Sequence, residues 1–157
     1  MKKLLFLTLM LCFVAFSAEA KKPQTLRYEM ECAGNGTQGT YLVKVWVYSK
    51  SNLTSDDVKR YAVHGVIFKG YAGKTGGCVA QKAMTPVTAE HQHADFFNAF
   101  FNKDKAYGRY ATEIQGSFER VRVGKEYKYG LTVSVAKDAL RKTLEDAGII
   151  RGLSGGF

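Results

Sequence analysis

The 157-residue chain is poor in the residues that announce chemistry. It holds three histidines, three cysteines, two prolines and one tryptophan. There is no C-x-x-C pair, which excludes a thioredoxin-type redox motif. G-x-S-x-G, H-E-x-x-H and a phosphate-binding glycine loop are also absent. Nothing therefore marks an elbow-type serine hydrolase, a zincin or a P-loop enzyme. No internal repeat or low-complexity tract occurs, which excludes solenoids and Pro-rich linkers. Only one long apolar run exists, at the N-terminus, so the rest of the chain has no transmembrane candidate. Acidic residues are scarce: 14 Asp+Glu stand against 23 Lys+Arg, a net charge of +9.

The apolar run has the layout of a leader. Lys2 and Lys3 precede the apolar stretch Leu4–Phe16, and Ala18-Glu19-Ala20 places small residues around a cut before Lys21. These are the three parts of a secretory signal peptide, and the run is too short to span a bilayer. The expectation is a signal peptide at residues 1–20 and a single domain at 21–157, located in the periplasm or secreted. Cleavage removes Lys2, Lys3 and Glu19, which lowers the net charge from +9 to +8. A basic exported body favours an anionic envelope polymer or an envelope protein as partner, ahead of nucleic acid, and admits a second copy of itself. Cys12 leaves with the leader, and Leu11 before it is not the small residue a lipoprotein signal requires. Cys32 and Cys78 remain, an even pair in an oxidising space, so a disulfide is expected. Closing that loop stabilises the fold by roughly 4 kcal/mol in the chain-entropy model. Two buried thiols are the alternative.

Periodicity places the elements. Leu26, Tyr28, Met30 and Cys32 alternate with polar neighbours over Thr25–Cys32, the period of a half-buried strand. A turn-rich loop over 33–39 leads to a second strand, Thr40–Tyr48, with Val43, Val45 and Val47 on one face and Lys44, Trp46 and Tyr48 on the other. Thr54 or Ser55 caps a helix ending at Gly70, with Asp56 and Asp57 at its positive end. Its β-branched last turn (Val63, Val66, Ile67) also suits extended chain. Thr88 starts a second helix that runs to about Asn102 with a Phe96, Phe97, Phe100, Phe101 stripe. Residues 107–116 have no clear period. Ser117–Val135 is a hairpin around Gly124-Lys125, a type II′ turn. The last helix spans Ala136–Ala147, with an Asp138–Lys142 pair and Gly148 as stop. The order β-β-α-α-β-β-α predicts an α+β fold, an antiparallel sheet of about four strands with two or three helices packed against it.

Candidate sites are few. Glu90-His91-Gln92-His93-Ala94-Asp95 has metal-ligand residue types, but on a regular helix His91 and His93 point to opposite sides, and only an extended chain would let them share an ion. His64 sits mid-helix without a local orienting residue. The Lys44, Trp46, Tyr48 face is the more physical site. If Arg27, Arg120, Arg122 and Lys128 join it, aromatic rings and cations on one sheet face can stack on sugars and neutralise anions. A helix or a second subunit covering that face would instead make Trp46 a core residue. The reading is a non-enzymatic binding or accessory module of the bacterial envelope, without cofactor, acting through Lys44, Trp46 and Tyr48. The alternative is a hydrolase of envelope material built on His64, His91, His93 and Asp95, with or without a metal.

Two stretches carry a resemblance. Gly39-Thr40-Tyr41-Leu42-Val43-Lys44-Val45-Trp46, continuing into Ala62–Gly70, and Val123-Gly124-Lys125-Glu126-Tyr127 through Gly148–Leu153 resemble a family of small exported proteins of Bacteroidetes-type bacteria. The resemblance implies an association with curli-type secretion and envelope components. It implies no activity and no catalytic residue. The strand-then-helix pattern is also similar to small α+β modules of flagellar-type envelope lipoproteins, a likeness of fold that does not fix function.

Overall fold

A computed structural model describes residues 26–74 and 77–152. The signal-peptide stretch, Cys12 and Thr25 lie outside the described residues. The chain folds as an α+β protein around a five-stranded antiparallel sheet. Strand β1 (Tyr28–Gly34) pairs with β2 (Tyr41–Ser49), Tyr28 opposite Val47 and Cys32 opposite Val43, with a register shift between Cys32 and Gly34. The other edge of β2 takes β5 (Glu126–Val135), Trp46 opposite Gly130 and Lys44 opposite Thr132. Two short strands, β3 (Ala111–Glu113) and β4 (Glu119–Val123), share the far edge of β5. The strand beyond the expected four is β3, whose three residues are too few for an alternation to be seen.

Helix α1 (Ser55–Phe68) crosses one face of the sheet. Thr54 caps it reciprocally: its side chain accepts from the Asp57 N–H, and the Asp57 carboxylate accepts from the Thr54 N–H at 2.9 Å. The helix stays regular through its β-branched last turn, because Val63, Val66 and Ile67 are all buried against the sheet and packing outweighs propensity. Val43, Val45, Val47, Leu131, Val133 and Val135 supply the sheet side of the core, each fully buried. Burying one such side chain contributes about 1.5–3 kcal/mol, so this layer dominates the fold's stability.

The expected helix from Thr88 to Asn102 is interrupted. It divides at His93 (φ −117°, ψ 41°) into α2 (Thr88–Gln92) and α3 (Ala94–Asn98), and a π turn over Ala99–Lys103 follows. The π turn carries Phe100 and Phe101, both buried in the core. Residues 106–110 form a 3₁₀ turn before β3. The β4–β5 hairpin has Gly124 at φ +61°, the positive value its type II′ turn requires at that position. Helix α4 (Lys137–Asp146) ends the fold, with Leu140 and Leu144 fully buried. Lys142 pairs with Asp146 at 3.2 Å and not with Asp138, and Arg141 pairs with Glu145 at 2.9 Å. Asp138 stands instead against the Gly39 turn, its N–H donating to the Gly39 carbonyl.

Candidate functional site

All helix packing described above falls on one side of the sheet. Among the described residues, no helix covers the other side, which carries Lys44, Trp46 and Tyr48, all half-buried. The cause is local. Trp46 pairs with Gly130, a strand position without a side chain, and the indole lies down over it. A β-carbon there would stand 2.8 Å from the Trp46 Cε3. Glycine in a strand interior commonly marks such a close approach.

Cations flank the rings. The Lys44 and Lys128 ammonium groups lie over the indole at 4.4 and 4.6 Å from its centre. The Arg27 guanidinium covers the Tyr48 ring at 3.9 Å. Each cation also meets a carboxylate: Arg27 with Glu126 at 2.7 Å, Lys128 with Glu29 at 3.2 Å, and Lys44 with Glu119. The aromatic polar tips are held as well, the Trp46 Nε1–H donating to Glu31 at 3.1 Å and the Tyr48 hydroxyl to Glu29 at 3.1 Å. The hydrogen-bonded Lys128 ammonium holds the Glu29 carboxyl below the usual range.

This arrangement corrects one expectation. Arg120 and Arg122 do not join Lys44, Trp46 and Tyr48. Arg120 pairs with Tyr129 and Arg122 with Tyr127, which puts both on the helix side of the sheet, and Arg120 stacks over Tyr127 at 3.6 Å. The open face thus holds three cations, Arg27, Lys44 and Lys128, against four carboxylates, Glu29, Glu31, Glu119 and Glu126. It is aromatic and charge-interleaved and not simply basic. Sequence reasoning missed the carboxylates, although the alternation of Glu29 and Glu31 with buried residues already assigned them to this face.

One end of the face is bordered by a loop. The disulfide Cys32–Cys78 joins β1 to the 71–81 segment, with α-carbons 6.0 Å apart. Between loop and sheet lies a recess of about 370 Å³, lined by Glu31, Lys44 and Thr132 on the sheet and Lys74 and Gly77 on the loop.

The histidines separate. His91 and Asp95 are exposed, and His93 is half-buried at the helix break. Among the described residues, no group of three or more His, Cys, Asp or Glu side chains is placed to hold a metal ion. His64 is buried on α1, packed on Phe68 and Phe101. Its Nδ1 lies 2.7 Å from the Tyr28 hydroxyl, and its Nε2 lies 3.4 Å from the Glu90 carboxylate. A carboxylate only accepts, so in the neutral ring Nε2 carries the proton and Tyr28 donates to Nδ1. Burial lowers the His64 pKa and Glu90 opposes that shift. Burial, with Glu90 beside it, pushes the Tyr28 phenol well above its ordinary value. His64 and Tyr28 are buried while Glu90 remains partly exposed, and the three side chains form a polar link between β1, α1 and α2.

No family model matches the chain, and neither a curated protein nor a solved structure matches it.

Proposed function

We propose that this is an exported, non-enzymatic accessory module of the bacterial envelope that binds an anionic envelope glycan on its open sheet face. The observation that carries the reading is the seating of Trp46 over Gly130 between Lys44 and Lys128, on a side that no described helix covers. Trp46 and Tyr48 are already held by Glu31 and Glu29, so the rings lose little rotamer freedom on binding, whereas Lys44 and Lys128 leave their places over the indole. A sugar ring fits in place of the ammonium groups over the indole. The displaced Lys44 and Lys128 then meet carboxylate or phosphate groups of the same polymer, which offsets the lost cation–π contacts of about 0.5–1 kcal/mol each. Glu31 and Glu119 accept from hydroxyls. A ligand of pure negative charge would face four carboxylates, so hydroxyl-rich anionic saccharide is the favoured class. The Cys32–Cys78 bond supports an oxidising compartment, periplasmic or extracellular.

The test is sedimentation of the protein with isolated envelope glycan, alongside quenching of its fluorescence. Trp46 is the sole tryptophan, so the signal reports the face directly. Trp46→Ala is expected to weaken binding by about tenfold, or about 1.4 kcal/mol, with the fold intact. Wild-type affinity in that variant overturns the reading.

A further inference from the structure

The sheet has two outer edges, and they differ. At β1 one outward group is taken and a loop lies beside the edge: the Lys69 ammonium donates to the Tyr28 carbonyl at 2.7 Å, and the disulfide ties the loop beside Cys32. The β4 edge differs. Residues 119–123 pair with β5, and among the described residues none of their backbone groups bonds outside that ladder. A strand in this state is a template for a further strand.

The side chains of β4 alternate in kind. Phe118, Arg120 and Arg122 form the row on the helix side, and Glu119, Val121 and Val123 the row on the open side. Val121 and Val123 are 48 % and 42 % exposed, and Phe118 is 40 % exposed. Arg122 bonds only the Gly124 carbonyl at 3.4 Å, and Arg120 rests on Tyr127, neither meeting a carboxylate among the described residues. The β4 strands of two copies are poor partners for each other. Antiparallel self-pairing centred on Val121 sets Arg120 against Arg122. Centred on Arg120 or Arg122, it sets that arginine against its own copy. Like charges directly opposite destabilise a pair of strands.

We propose that β4 is a docking edge for an extended peptide in which acidic residues alternate with apolar ones. Main-chain bonds supply affinity along the edge, carboxylates opposite Arg120 and Arg122 set the register, and apolar side chains cover Val121 and Val123. The net positive charge of the chain steers such a partner toward it.

The experiment uses an acetylated peptide of alternating valine and glutamate about as long as β4, and a control with lysine in place of glutamate. Wild-type protein is expected to bind the glutamate peptide about tenfold more tightly. Amide exchange should slow within residues 119–123. Arg120→Glu combined with Arg122→Glu should reverse the preference. If the double variant does not fold, Arg122→Glu alone, at an exposed position, should narrow it. Equal affinity for both peptides overturns the proposal, as does protection gained elsewhere, or a dimer of this chain in light scattering.

Discussion

The Trp46 indole lies flat across Gly130, its Cε3 only 2.8 Å from where a β-carbon on Gly130 would stand. The open face therefore depends on the absence of one methyl group. Gly130→Ala should lift the indole off the sheet, red-shift its emission and break the Lys44 and Lys128 stacking. Overpacking of this kind costs about 1–3 kcal/mol, but here the ring can move outward into solvent, so a value near the lower end is expected. Unchanged emission would show that the ring does not rest there.

The same glycine marks where the sequence was readable and where it was not. Alternation disclosed both hairpins, because a half-buried strand must repeat every two residues, and the Val43, Val45, Val47 face is buried as the pattern required. The cap on α1 was legible only as Ser55 or Thr54, and the structure places it at Thr54. Arg120 and Arg122 were assigned to the wrong face although the two-residue turn at Gly124-Lys125 fixes the hairpin register and sets them opposite Tyr129 and Tyr127. The break at His93 and the π turn after it were hidden because the phenylalanines satisfy a helical stripe locally, while their rings pack on Phe68, Tyr107 and Tyr110 from distant parts of the chain. The pairing of Cys32 with Cys78 followed from an expected oxidising compartment and an even count, whereas the recess it borders did not.

That disulfide closes a sequence separation of 46 residues. Replacing both cysteines by alanine should lower the unfolding free energy by roughly 4 kcal/mol, read from denaturant midpoints. It should also free the loop carrying Lys74, which borders the proposed glycan face at Lys44, and so weaken glycan binding there. A stability loss with unchanged glycan affinity would remove the loop from the site while leaving the sheet face in place.

The cap on α1 gives a local check. Thr54 both accepts from the Asp57 N–H and offers its own N–H to the Asp57 carboxylate. Thr54→Ala should cost about 1 kcal/mol, and Thr54→Ser much less, because serine keeps the accepting oxygen. Equal losses in the two variants would attribute the effect to packing and not to the cap.

His64 contributes to the acid response of the fold. Its pKa is lowered from 6.5, first by burial, with Glu90 pulling the other way. The unfolded chain thus takes up the proton at higher pH than the folded one. Stability is full above about pH 6.5 and falls as the pH drops from there toward the depressed folded value, below which this group adds no further loss. Denaturant midpoints across that interval should decline, and His64 imidazole resonances should titrate below 6.5. Glu90→Gln removes the charge that favours the imidazolium, so the His64 midpoint should move lower still and the loss of stability should extend to more acid pH. An unmoved midpoint in Glu90→Gln would mean that Glu90 does not sense the ring, and that the contact between α1 and α2 is packing alone.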